Sequence, residues 1–113
     1  MSDRDTDAAR RDYVAQVLRA YRATPSVVGH VRRADRELAG QLFDDGVPLY
    51  AVSYALTIAA ARRIRHNAFS TPMPAVRSLH YFVAVIREVL ERPPGPREID
   101  ELRRTLRFQD PLL

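Results

Sequence analysis

Apolar residues recur along this chain every three or four positions, which is the spacing of one face of an α-helix. The pattern predicts five helices and no strand, with bounds of about 7–22, 30–44, 48–65, 78–91 and 96–108. Short breaks rich in proline, glycine and serine separate them. The fold class is therefore predicted to be all-α. We expect a single-domain bundle over residues 1–113, with loose termini at 1–6 and 109–113.

The third helical segment differs from the others, because nearly every position from 49 to 61 is apolar. A helix that is apolar all round is buried on all sides, so we expect 48–65 to be the central helix. Gly46 is expected to end the preceding helix in the left-handed conformation. A long loop is predicted at 66–77, followed by Ser78 as the N-cap of the fourth helix.

Composition indicates an ordinary globular domain, since 46% of the 113 residues are hydrophobic and 28% are charged. The chain has no cysteine, which excludes a disulfide scaffold and a thiolate zinc site. The first residues are charged and lack the apolar run of a secretory signal. The longest apolar stretch is shorter than the ~20 residues that cross a bilayer. These features predict a cytoplasmic protein with no membrane partner.

Residues that could form a catalytic or metal site are few. His30, His66 and His80 are far apart and lack carboxylates at metal-ligand spacing. Ser78 and His80 are two positions apart, so they do not face each other on a helix. No glycine-rich phosphate loop and no nucleophile elbow is present. We therefore expect no enzymatic activity, no cofactor and no metal.

The basic residues carry the strongest functional signal. All eighteen are arginine, and the formal net charge is +4. The planar guanidinium group suits phosphate and carboxylate. No acidic residue occurs from 46 to 87, whereas five arginines do: Arg62, Arg63, Arg65, Arg77 and Arg87. The first three have an alternative explanation, because cations are favourable at the C-terminus of a helix.

Three further arginines, Arg32, Arg33 and Arg36, lie near the predicted start of the second helix, where the helix dipole disfavours cations. Either Asp35 and Glu37 compensate them, or a bound phosphate does. The second and third helices also have the spacing of a helix-turn-helix. The apolar N-terminal half of the third helix is poorly suited to reading base edges, so contact with the DNA backbone is the more natural use of these arginines.

The region from about 46 to 91 resembles the helical domain of DnaD-type replisome organisers and related phage and plasmid replication proteins. The resemblance starts at Gly46-Val47-Pro48-Leu49, continues through the apolar helix, and reaches Tyr81-Phe82 and Val85-Ile86. Val89 stands where that family has tryptophan. The resemblance implies a helical architecture, contact with the DNA backbone and self-association, and it implies that Tyr81 belongs to a DNA-associated helix.

These observations predict a DNA-associated accessory protein in a prokaryotic replication or mobile-element setting, with a replication or transposition protein or a second copy as a possible further partner. The alternative is a helical protein–protein interaction module that binds no nucleic acid. The predicted nucleic-acid-binding residues are Arg32, Arg33, Arg36, Arg62, Arg63, Arg65, Arg77, Arg87 and Tyr81.

Overall fold

The computed structural model describes the backbone of residues 3–109 and the side chains of residues 3–106. Over this range the chain forms five α-helices and one turn of 3-10 helix, with no strand. The helices are α1 (Asp3–Ala23), α2 (Arg33–Asp44), α3 (Leu49–Phe69), α4 (Val83–Glu91) and α5 (Pro96–Gln109), and the 3-10 turn spans Leu79–Phe82. The predicted all-α bundle of five helices is confirmed.

The two ends of the chain differ from expectation as far as they are described. α1 begins at Asp3, so residues 3–6 are helical rather than loose. Asp3 and Asp5 lie in its first turn, where negative charge is favourable to the helix dipole. α5 extends to Gln109. The other residues predicted to be loose, at 1–2 and 110–113, lie outside the described range.

α2 begins at Arg33, three residues after the predicted start at His30. The Asp35 carboxylate accepts a hydrogen bond from the Arg32 backbone N–H at 2.9 Å, which fixes Arg32 as an extended N-cap and starts the helix there. At the other end, Gly46 has a φ of 75°. The predicted left-handed terminator is therefore confirmed.

α3 is the central helix, as predicted, and packs against α1, α4 and α5. It is four residues longer than the predicted end at Arg65. Its alanines let neighbouring helices approach closely. The buried positions of α3 are Ala51, Val52, Ala55, Leu56, Ala59, Ala60, Ala61 and Arg63. The helix is not buried on every side, because Tyr50, Arg62 and Arg65 are exposed.

The connection between α3 and the 3-10 turn covers 70–78 and is shorter than the predicted loop, because α3 continues to Phe69. An isolated parallel bridge joins this connection to the segment after α1: the Val28 N–H donates to the Val76 carbonyl oxygen at 2.9 Å. Ser78 is an N-cap as predicted, since its hydroxyl accepts the His80 N–H. It caps the 3-10 turn, from which α4 continues without a break.

Aromatic residues link the helices in the core. The rings of Tyr21 in α1 and Phe82 before α4 meet edge to face at 6.0 Å between centroids. Ile99 is buried and docks α5. α1 contacts mainly α2 and α3, whereas α5 contacts mainly α3. This arrangement leaves two grooves on the surface, one between α1 and α2 and one between α3 and α5.

Candidate nucleic-acid interface

Two of the arginines predicted to bind nucleic acid form ion pairs. The Arg33 Nε lies 2.9 Å from the Glu37 carboxylate, one helical turn away. Arg62 donates two hydrogen bonds to Glu88, at 2.6 and 2.9 Å. These bonds lower the pKa of Glu88 below its ordinary value. For both arginines, the neighbouring carboxylate is the counterion, and for Arg62 it comes from α4, just beyond the acid-free stretch of sequence.

Arg63 is not a surface residue, so its prediction as a phosphate contact is wrong. It is 4% exposed. One terminal nitrogen donates to the Tyr81 hydroxyl at 3.1 Å, and the other donates to the Pro74 carbonyl oxygen. A polar side chain can be buried at tolerable cost only when such partners replace water. Arg63 therefore fastens the 70–78 connection to α3 and is not free to contact a ligand.

Tyr81 is 42% exposed, but its ring and hydroxyl are both engaged by Arg63. The guanidinium carbon lies 5.3 Å from the ring centroid, within cation–π range. The Phe82 ring meets the Tyr81 ring edge to face, with 5.1 Å between the ring centroids. Tyr81 is thus held in one position, and its role within the described residues is to cover a buried arginine.

Arg65 and Arg87 are exposed, and neither lines the groove between α1 and α2. Arg65 lines the groove between α3 and α5, together with Glu88, Glu91 and Glu98. Because Arg62 and Arg92 also line it, the groove carries as many carboxylates as guanidinium groups and has no net positive charge to attract a phosphate chain. Arg87 is on α4 beside Glu88, and no ion pair of its side chain occurs among the described residues.

Three arginines from two helices converge on the groove between α1 and α2. Arg19 and Arg22 of α1 and Arg36 of α2 line a shallow depression of about 530 Å³. Ala15 and Leu18 lie one turn earlier on α1 and form its floor. None of the three guanidinium groups has an ion pair within residues 3–106.

Arg32 and Arg77 are brought to the same end of the molecule by Asp35. One oxygen of this buried carboxylate accepts the Arg32 N–H, and the other accepts the Leu79 N–H, both at 2.9 Å. The start of α2 and the start of the 3-10 turn are thereby joined. Arg77 lies two residues before Leu79, and both arginines are exposed.

We call this surface the basic end and define it by the exposed residues Arg19, Arg22, Arg32, Arg36 and Arg77. From 13 to 43 the chain contains only two acidic residues, Asp35 and Glu37, and from 70 to 87 it contains none. Asp35 is 1% exposed with both oxygens occupied, and Glu37 pairs with Arg33. The cations of the basic end therefore lack neutralising partners among the described residues.

Sequence reasoning missed Arg19 and Arg22, although a signal for them existed. No acidic residue occurs from 13 to 34, just as none occurs from 46 to 87. Only the second stretch was used as a signal, and Arg32, Arg33 and Arg36 were predicted from their place at the start of a helix instead. Tyr21 lies between Arg19 and Arg22 in sequence. Burial of its phenol raises its pKa above the ordinary value, and the charge of Asp35 raises it further. Its hydroxyl is buried and has no hydrogen-bond partner in the described structure.

The described residues offer few groups for catalysis or metal binding. The Ser78 hydroxyl lies 3.3 Å from the His80 Nδ1, but it is already the N-cap of the 3-10 turn. Within the part of the chain that the structure describes, no three His, Asp or Glu residues are grouped so that they could hold a metal ion. Across that same part, none of the helices combines the length and the apolar character needed to cross a membrane.

Comparison with known proteins gave no match: no family model, no curated protein and no solved structure is similar to this chain. The function of the protein is therefore inferred from the geometry and charge of the described residues.

Proposed function

We propose that this protein binds the phosphate backbone of DNA through the basic end, as an accessory protein in replication or in a mobile element. The observation that carries the proposal is the convergence of Arg19, Arg22 and Arg36 on one groove without neutralising carboxylates. Guanidinium groups bind phosphate through paired hydrogen bonds, and neutralising several phosphates releases counterions, which drives binding.

The backbone that carries these arginines is well anchored, which favours binding over mere solubility. Asp35 joins the start of α2 to the 3-10 turn, and the Val28–Val76 hydrogen bond joins the end of α1 to the same connection. Cations on anchored segments lose less conformational entropy when they bind than cations on free loops. The proposal therefore assigns the anchors a role in placing Arg22, Arg32 and Arg77.

The proposed binding is independent of base sequence. A recognition helix must present polar side chains from its N-terminal half to the major groove. In α3 that half contains Ala51, Val52, Ala55 and Leu56, all buried. Phosphate contacts position a protein on DNA but carry no sequence information. We thus expect similar affinity for duplexes of different sequence.

Kinship with the DnaD-type helical domain also remains a proposal. The succession of an apolar helix, a connection and the 3-10 turn Leu79–Phe82, from which α4 continues, supports it. If the kinship holds, Tyr81 would act through its exposed edge, because Arg63 occupies its hydroxyl and ring.

The test is binding to labelled duplex, single-stranded and forked DNA over a range of salt concentrations. The triple variant R19Q/R22Q/R36Q is compared with R4Q/R97Q/R104Q, which changes three exposed arginines outside the basic end. Both variants lower the net charge equally. The slope of log K against log salt concentration is negative when a protein neutralises phosphates. For duplex DNA, we expect the magnitude of this slope to decrease by roughly 2–3 in the first variant and to change little in the second.

Two results would overturn the proposal. Equal losses in the two triple variants would mean that net charge, and not the basic end, governs binding. A slope near zero for the unmodified protein would mean that no phosphates are neutralised. The second result would favour the alternative function, a protein–protein interaction module, for which the groove between α3 and α5 provides a surface.

A further inference from the structure

The groove between α3 and α5 has a volume of about 1020 Å³, about twice that of the groove of the basic end. α4 and the Pro93-Pro94 turn close one side of it. Apolar side chains from two helices line it, including Ile58 and Ile64 of α3 and Leu102 of α5. Charged side chains line it in similar measure, and a depression of this size with both kinds of lining is a candidate binding site. The groove shares no lining residue with the groove of the basic end.

Phe69, the last residue of α3, lies at this groove and is 84% exposed. It is the most exposed of the large hydrophobic residues that the structure describes. An aromatic side chain beside an apolar groove is the typical anchor of a protein interface. Phe69 is too exposed to fill its own groove. Both the Phe69 ring and the groove can therefore contact a partner.

The charges that line the groove indicate what kind of partner fits. Arg62 and Glu88 are paired with each other. The remaining charged side chains are two cations, Arg65 and Arg92, and two anions, Glu91 and Glu98. None of these four has an ion pair between residues 3 and 106. An acidic partner would leave the carboxylates unpaired, and a basic partner would leave the guanidinium groups unpaired.

We propose that this groove is the contact face between two copies of the chain. In a twofold dimer the same surface occurs on both partners and must complement itself. A groove with equal numbers of both charges meets that requirement, since each copy can place its cations against the other's anions. Each copy also inserts Phe69 into the groove of the other. The proposal does not depend on DNA binding, because the basic end is a separate surface.

The first test measures molar mass by light scattering on a sizing column, from micromolar to several hundred micromolar protein. The unmodified chain is expected to be a dimer in exchange with monomer. The variant F69S is expected to raise the dissociation constant at least tenfold, as for the central anchor of an interface. The matched control is Y50S, because Tyr50 is an exposed aromatic residue of α3 that does not line the groove.

The second test uses complementary charge reversals. Outside the Arg62–Glu88 ion pair, the variants R65E/R92E and E91R/E98R each leave the groove with charges of a single sign, so each is expected to be monomeric alone. An equimolar mixture of the two variants is expected to form a heterodimer, because the altered charges of one groove are then opposite in sign to those of the other. Circular dichroism checks that each variant is folded.

Three outcomes would overturn the proposal. The first is a monomer over the whole concentration range. The second is a dimer that F69S leaves intact, which would place the contact elsewhere. The third is a mixture of the two charge variants that stays monomeric, which would show that the groove does not complement itself.

Discussion

The Asp35 carboxylate is almost completely buried, and both of its oxygens accept backbone N–H groups rather than guanidinium groups. It therefore positions Arg32 and Arg77 without neutralising either side chain. Sequence reasoning offered Asp35 as a counterion for the neighbouring arginines. The structure corrects this interpretation, because the partners of Asp35 are the backbone N–H groups of Arg32 and of Leu79, which is 44 residues away.

The substitution D35N tests this positioning role. Hydrogen bonds to a charged acceptor contribute about 1.5–3 kcal/mol each, and asparagine keeps only one oxygen as an acceptor. We expect the free energy of unfolding in urea to fall by about 1–3 kcal/mol. The control is D12N, since Asp12 is exposed and bonds only Gln16 among the described residues. A loss in D35N no larger than that in D12N would contradict the role.

Arg63 shows what helical periodicity cannot separate. Arg62 follows Ala55 by seven positions, and Arg63 follows Leu56 by seven, and both of those residues are buried. The two arginines are therefore equivalent in the sequence pattern. The distinction comes from the 70–78 connection and the 3-10 turn after it, which offer the Pro74 carbonyl oxygen and the Tyr81 hydroxyl to Arg63. Contacts of this kind depend on tertiary structure, which the local pattern does not contain.

At the scale of elements, α1 and α2 are held together by Arg10, which donates two hydrogen bonds to Asp44, at 3.0 and 3.1 Å. These bonds lower the pKa of Asp44 below its ordinary value of 3.8. A carboxyl whose pKa is lowered by folding stabilises the fold above its ordinary pKa, and this contribution is lost as the pH falls through the lowered value. The guanidinium of Arg10 lies against Gly40, where a Cβ atom would be only 2.8 Å from the Arg10 Cζ.

The substitution G40A should therefore displace Arg10 and break its contact with Asp44. Two effects oppose each other at neutral pH. Alanine favours the helix over glycine by about 1 kcal/mol, whereas the loss of an ion pair between two exposed side chains is slightly destabilising. We expect little change in the free energy of unfolding, but the pKa of Asp44 should rise toward its ordinary value in an NMR titration. The control is G95A, because a Cβ atom at position 95 would have no other atom within 4 Å. An unchanged pKa of Asp44 in G40A would contradict the prediction, since it would show that Arg10 keeps its contact with Asp44.

The helices themselves were predictable because their apolar faces repeat locally, and Gly46 and Ser78 mark ends by their own conformational chemistry. The start of α2 was predicted three residues early because its N-cap depends on Asp35.

The candidate site was predictable only in part. Arg32, Arg36 and Arg77 are retained in the basic end, whereas the α1 arginines join it only through the packing of α1 on α2.

At the scale of the whole molecule, which measures 51 × 31 × 25 Å, the two proposed surfaces are on different pairs of helices. A dimer formed through the groove between α3 and α5 would leave both basic ends exposed. Two linked sites bind a long DNA molecule more tightly than one, because the second contact is intramolecular once the first has formed. Self-association would then increase the affinity for DNA without adding any phosphate contact within one copy.

This reasoning predicts that the effect of F69S depends on DNA length. A duplex of about 10 base pairs is one helical turn, about 34 Å long, and offers little room beyond one basic end. A duplex of about 60 base pairs is several times longer than one molecule and accommodates both ends of a dimer. F69S should weaken binding to the long duplex at least tenfold and leave the short one unchanged, as measured by fluorescence anisotropy at protein concentrations where the unmodified chain is dimeric. An equal loss at both lengths would instead make Phe69 a direct DNA contact, and the groove would then belong to the DNA-binding surface.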